Sequence, residues 1–253
     1  MTNRKSAVNK PTAPLPDDQQ ADGPVVVLIS ADAEWRAMRK WFPDVQIQIS
    51  PYGEWFRCRL PGLDVTDKIL FLHGGWGKIA AAGSTQYAIS RWSPRLLINL
   101  GTCGGLAGEI ERGTIILVNK TIVYDIIEQM GDYDEHLAHY TTEIDLSWLH
   151  PPYPQDVQEN LLISADRDIL TEQIPWLKEK FGAVAADWES AAIAYVAAQN
   201  HTRIIILRAV TDLVAESGGE AYGNLAFFQL ATEKVMANFV QALPAWINAG
   251  STA

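Results

Sequence analysis

The run IIILRAV at residues 204–210 constrains the fold more than any other stretch. Its residues are β-branched or otherwise apolar, as in a strand buried on both faces, yet Arg208 stands inside it. A guanidinium in such a strand requires a partner or a function. The strand is expected to end at Thr211-Asp212, which puts Asp212 where α/β sheets bind ligands, beyond a strand's carboxyl end. Just upstream, DWESAAIAYVAAQN reads as a helix with Ile193, Val196 and Ala197 on one face, closed by Asn200 and His201. Glu189 opens that helix and is expected to share the crevice with Asp212. Taken singly, each acid suits an ordinary capping or helix-dipole role equally well.

The same alternation of short apolar run and helical pattern recurs along the chain. VVVLIS leads into ADAEWRAMRKWF, with Trp35, Met38 and Phe42 at helical spacing and Asp32 and Glu34 in the connecting turn. VQIQIS and EWFRCRL alternate around Pro51-Tyr52-Gly53 and predict a hairpin. KILFLHGG is a strand running into the helix GWGKIAAAGSTQYAISRW. Here Trp76 is core or pocket wall, Lys78 is expected to be a solvated helix-start residue, and His73 is a candidate base with no partner in view. RLLINLGTCGGLAGEI is expected to be a strand followed by a glycine-rich turn, whose Gly101, Thr102, Gly104 and Gly105 offer backbone N–H groups to a ligand. Its spacing is not GxGxxG and no GK[ST] follows, so neither the dinucleotide nor the P-loop reading is supported. TIILVNKTIVYD predicts a long strand, and residues 126–158 a polar, proline-punctuated loop. LLISAD is a further strand, ending in Asp166-Arg167-Asp168, and ILTEQIPWLKEKFG a helix interrupted by Pro175. After the flexible stretch AESGGEAYGN, a final amphipathic helix is expected to stop near Pro244.

Composition narrows the class. A chain of 253 residues with 48% apolar content fits one α/β domain over residues 24–253. The first 23 residues hold three prolines, are mostly polar and contain no apolar run fit for a signal peptide, so a disordered arm is expected. A net charge of −10 without a basic stripe argues against nucleic acid and anionic membranes, leaving a small-molecule ligand. No stretch reaches the ~18 apolar residues of a membrane span, so a soluble cytoplasmic protein is expected. Cys58 and Cys103 lie in apolar contexts without metal-type spacing, so neither a disulfide framework nor zinc is expected.

Four stretches, ISADAEW, GWGKIAAA, INLGTCGGLAGEIERGTI and the pair DWESAAIA with LRAVTD, resemble in their order and spacing the nucleoside phosphorylase and nucleosidase superfamily. The likeness is closest to the 5′-methylthioadenosine/S-adenosylhomocysteine nucleosidases and covers about residues 24 to 245. It implies a three-layer α/β/α fold with a mixed, partly barrel-like central sheet, and assembly as a homodimer. By position it implies Asp212 as the general acid at the purine N7 edge and Glu34 as the residue that activates water, helped by Arg208 and Thr102. It implies Glu189 as the clamp on both ribose hydroxyls, and substrate contact from Trp76, Cys103, Gly104, Asp168, Ile169, Trp188 and Thr211.

The chemistry asks for these residue types on its own account. Cleaving an N-glycosidic bond builds positive charge on the sugar and negative charge on the base, so carboxylates near the ribose and a protonated acid near the base both lower the barrier. Desolvation of Asp212 would keep it neutral at working pH. Neither metal nor organic cofactor is needed. Three departures bear on specificity: Asp168 stands where the resemblance expects a stacking aromatic, Trp188 for a methionine under the sugar, and Trp76 for an aliphatic residue near the 5′ group. The stretch VYDIIEQ departs as well. The expected function is therefore a purine-nucleoside hydrolase, best matched to methylthioadenosine or adenosylhomocysteine. A phosphorylase is the alternative, although the acidic turn SADAE repels phosphate. A nucleoside-binding protein without catalysis is the third reading, and the retained carboxylates argue against it.

Overall fold

Every residue of β1 (Val25–Ile29) is fully buried, and its alternating side chains enter two separate cores. Val25, Val27 and Ile29 meet Trp35 and Met38 of α1 (Asp32–Arg39) and Met236, Phe239 and Trp246 of α6 (Leu225–Ala249). Val26 and Leu28 instead meet Ala81 and Ala88 of α2 (Lys78–Trp92) and Ile193 and Ala197 of α5 (Ser190–Gln199). A strand that buries both faces must have a layer on each, and these two helix pairs make the expected α/β/α arrangement. Each fully buried aliphatic side chain contributes about 1.5–3 kcal/mol, so the two cores anchor the central strands firmly. The computed structural model describes residues 23–64 and 68–250, so the arm expected over residues 1–23 lies, apart from Gly23, outside the described residues.

The sheet is open at one end and closed at the other. β1 lies parallel to β4 (Ile69–His73) and to β5 (Leu96–Leu106), and β4 continues into the hairpin β3 (Glu54–Cys58) and β2 (Gln48–Ile49). On the other side β5 runs parallel to β10 (Ile204–Ala215), and β10 pairs antiparallel with β6 (Ile115–Val123). β6 continues to β8 (Gln158–Ser164), β8 to β9 (Ala185–Asp187), and β9 returns to β5. That circuit is the barrel-like part of the mixed sheet. Among the described residues no helix is long and apolar enough to cross a membrane.

Several local expectations change. The glycines of GTCGGL form no turn, because β5 runs through them to Leu106 with β10 alongside and β9 pairing Gly104 and Gly105. β10 likewise does not stop at Asp212 but continues to Ala215, with a register irregularity between Val210 and Asp212. α6 passes through Pro244 to Ala249, since Leu243, Trp246 and Ile247 on either side of the proline are buried and outweigh its lost hydrogen bond. Pro175 does not interrupt a helix; it sits in the first turn of α4 (Ile174–Phe181), where its missing N–H has no partner to lose. The stretch expected as a loop over residues 126–158 also carries α3 (Tyr133–His139) and β7 (Thr141–Glu143), the latter paired with β6.

Candidate active site

A cavity of about 580 Å³ opens where β5, β9 and β10 meet the N-termini of α1 and α5. Its wall includes Glu34, Thr102, Cys103 and Gly104, then Asp168 and Ile169 from the turn after β8. Trp76, Trp188, Glu189, Thr211 and Asp212 complete the set expected from sequence. Arg208 is the exception. It is fully buried in β10 and does not line the cavity, because its neighbours in the sheet and Asp187 enclose it.

Glu34 serves helix and cavity at once. In the first turn of α1 its Oε2 accepts from the Ala31 N–H at 3.3 Å, while Oε1 accepts from the Thr102 N–H at 2.6 Å and Thr102 Oγ1 at 2.9 Å. Burial raises its pKa above the ordinary carboxyl range, against the pull of Arg208 and the Thr102 bonds.

Glu189 caps none of its own helix with its side chain. Its Oε1 accepts instead from the Gly77 N–H at 2.9 Å, so it reaches across to the start of α2. Gly77 holds φ at 84°, a left-handed conformation natural to glycine that turns this N–H outward. Burial, with nearby Asp187 adding to it, raises the pKa of Glu189. Asp212 is 6% exposed, and burial raises its pKa too, against a hydrogen bond from Thr211 Oγ1 at 2.7 Å that favours the ionised form. Glu220 and Asp168 push it further up.

The indoles of Trp76 and Trp188 meet at 5.2 Å with their planes 59° apart, and Trp76 remains 60% exposed at the cavity mouth. Asp168 is exposed to the cavity. Two expectations outside the cavity are corrected. Lys78 is not solvated: its Nζ pairs with Asp125 and lies 3.7 Å from Asp166 Oδ2, because the chain end of β8 folds over the start of α2. His73 does have neighbours, with Nε2 3.2 Å from Asp32 Oδ1 and its ring stacked on Trp35, and it stays away from the cavity wall.

Sequence reasoning missed Asp187, Arg167, the segment from Ala221 to Leu225 and Phe228, all of which line the cavity. Tyr222 ties that segment across the site, donating its hydroxyl to the Ile169 carbonyl at 2.8 Å. The signal for Asp187 was present in the unpaired charge of IIILRAV. Arg208 Nε donates to Asp187 Oδ2 at 2.7 Å, the partner such a buried cation demands.

Comparisons agree with this architecture. The family model described as Phosphorylase superfamily matches residues 26–247. A 5′-methylthioadenosine/S-adenosylhomocysteine nucleosidase of Staphylococcus saprophyticus is 30% identical over 60% of this chain and 72% of its own length. The apo structure of an Arabidopsis thaliana 5′-methylthioadenosine nucleosidase superposes with a TM-score of 0.70 at 22% identity, covering 87% of this chain and 94% of that one. The Neisseria meningitidis 5′-methylthioadenosine/S-adenosylhomocysteine nucleosidase in complex with methylthio-immucillin-A gives 0.69 at 19% identity, covering 91% and 100%. At these identities the two structures speak for the fold.

The packing around Arg208 yields a direct test. A Cβ on Gly101 would lie 2.0 Å from Arg208 Nη1 and 2.9 Å from Glu34 Oε1, in a guanidinium anchored through Nε and a carboxylate anchored by Thr102. Gly101→Ala is therefore expected to cost about 1–3 kcal/mol of stability through overpacking alone. Equilibrium urea unfolding measures it, and an unchanged midpoint would refute the close approach.

Proposed function

The chain belongs to the phosphorylase superfamily, and from that premise we propose that it hydrolyses the N-glycosidic bond of a purine nucleoside, with 5′-methylthioadenosine or S-adenosylhomocysteine the best single choice. The observation that carries this reading is one cavity walled by three carboxylates, Glu34, Glu189 and Asp212, in three different environments. Asp212, whose pKa burial raises, is the acid that protonates the departing purine. Glu34, fixed by Thr102, orients water and takes its proton, with Arg208 behind it holding positive charge. Glu189 accepts hydrogen bonds from the ribose hydroxyls and, like Glu34, stabilises positive charge growing on the sugar. No step calls for a metal or an organic cofactor.

The balance of charge supports water as nucleophile. Setting aside Asp187, whose carboxylate is paired with Arg208, four acidic residues line the cavity, Glu34, Asp168, Glu189 and Asp212, against the single guanidinium of Arg167. Arg208, the other cation a phosphate could use, is fully buried and does not line the cavity. Asp168 supports a base read by polar contacts, since a carboxylate accepts from an exocyclic amine or ring N–H where an aromatic would stack. Trp188 and Trp76 fit the sugar and the 5′ substituent. We further infer a cytoplasmic homodimer. Trp76, Ile79 and Ile127 are 60%, 88% and 60% exposed, an apolar surface that suits burial against a second copy.

On a panel of purine nucleosides varied at base and 5′ group, the product is expected to be free sugar with or without phosphate; sugar 1-phosphate as the main product would overturn the hydrolase. Asp212→Asn keeps the shape but delivers no proton, so kcat should fall about 10²- to 10⁴-fold while KM holds. Glu189→Gln should weaken kcat and KM together. If Asp212→Asn kept more than about a tenth of kcat with chemistry rate-limiting, Asp212 is not the acid.

The pH profile follows from Thr211. Its hydroxyl bond stabilises ionised Asp212, so Thr211→Val should raise the Asp212 pKa and carry the alkaline limb of kcat/KM to higher pH. The linked stability has the same sign: folding favours neutral Asp212, so its contribution is full below the ordinary carboxyl pKa and is lost as pH rises through the folded value. A limb that stays or moves down would detach Thr211 from the acid. For the assembly, light scattering at micromolar concentration should report a dimer, and a fully active monomer would exclude it.

A further inference from the structure

Among the described residues, a buried guanidinium edge without a hydrogen-bond partner lies beside Glu34. Arg208 is fully buried, and Nη1 and Nη2 meet no hydrogen-bond acceptor among the described residues. Arginine normally meets a carboxylate fork to fork, through two parallel N–H bonds. Here only Nε is engaged, by Asp187 Oδ2 at 2.7 Å and Ser190 Oγ at 3.0 Å. Nη1 instead enters the space left by the missing Cβ of Gly101, which Glu34 Oε1 also borders.

Asp187 is held from several sides while it does this. Its Oδ1 accepts from Ser164 Oγ at 2.5 Å, and its Oδ2 from the Ser190 hydroxyl and, at 3.1 Å, from the Ser190 N–H. Ser164 Oγ in turn accepts from the Ala191 N–H at 3.0 Å. The carboxylate thus bridges the ends of β8 and β9, the first turn of α5 and the middle of β10. Its bonds are satisfied, whereas the guanidinium edge facing Glu34 is not, and a buried N–H pair without acceptors is costly, so packing alone would not select this arrangement.

We propose that Asp187, braced by Ser164 and Ser190, is a positioning residue for the reaction, holding Arg208 by Nε so that its terminal nitrogens stay unbonded beside Glu34 and the guanidinium charge acts on that carboxylate. Asp187 makes and breaks no bond. It withholds its own oxygens from Nη1 and Nη2 and sets the rotation of the guanidinium plane. It also neutralises part of the Arg208 charge, so that Glu34 feels a tempered cation and retains enough basicity to take a proton.

The inference rests on the hydrolase reading, so wild-type turnover of the nucleoside panel comes first. Absence of any turnover by wild type would defeat that reading, whereas the arms below compare variants of an active enzyme. Asp187→Asn preserves shape and removes the charge. Its kcat should fall about 10- to 100-fold, the scale typical of residues that orient a reacting group from behind, with KM within about threefold. The acidic limb of kcat/KM should move to lower pH, because the less neutralised Arg208 makes Glu34 easier to ionise. A kcat within about twofold of wild type overturns the proposal. So does a loss shared by KM, or one with the acidic limb unmoved, since a merely structural role would produce either. Should Asp187→Asn fail to fold, Ser164→Ala replaces it: with the charge kept and one brace removed, kcat should drop about fivefold at constant KM, the equivalent of one hydrogen bond. An unchanged kcat there overturns the proposal equally.

Discussion

A guanidinium sealed inside the sheet governs this molecule. Burial alone works against the charge of Arg208, and Asp187, Glu34 and Glu189 together outweigh it. Losing one partner of such a buried pair costs about 3–5 kcal/mol, so the surroundings of Arg208 are not free to vary independently. Gly101 is required to admit it, Ser164 and Ser190 to complete its counter-ion, and Thr102 to hold the neighbouring Glu34. The cavity is assembled around a cation it does not expose.

Much of the functional chemistry is carried by backbone groups and short side chains, which explains its economy. Glu34 is fixed by two N–H groups and one hydroxyl, Glu189 by the N–H of a glycine at the start of a different helix, Asp212 by the hydroxyl of the adjacent residue. None of these carboxylates is paired with a cation at hydrogen-bond distance. Glu189 and Asp212 each keep one oxygen outside these bonds, and burial raises the pKa of all three carboxyls. The charges that do form tight ion pairs, Lys78 with Asp125 and Arg208 with Asp187, stand outside the cavity or behind it.

The layers of the fold were legible in the sequence because they follow from periodicity. VVVLI and IIILRAV could only be strands buried on both faces, and the alanine-rich SAAIAYVAAQ only a closely packed helix. The candidate carboxylates were legible because strand ends and helix starts attract notice. Boundaries set by tertiary contacts were not. The glycines of β5 resemble a turn until Arg208 and β9 are known to lie beside them, and Pro244 resembles a stop until Trp246 is found in the core. Asp187 escaped for the same reason. The sequence demanded a counter-ion for Arg208, but Asp187 and Glu189 are both candidates two residues apart, and only the fold turns Asp187 inward to the sheet and Glu189 toward α2.

The irregularity between Val210 and Asp212 adds one residue to β10 against β5, so that Arg208 stands opposite Gly101 while Asp212 stands opposite Gly104. Four positions apart on a regular strand, Arg208 and Asp212 would point the same way, yet their partners, three apart, point in opposite ways. The supernumerary Thr211 thus puts the cation and the acid out of phase, one turned into the protein and the other toward the ligand. Their division of labour is in this sense a matter of parity. Side chains can be exchanged around it one at a time, whereas the loss of a single residue from that strand would reverse the phase of everything from Asp212 to Ala215.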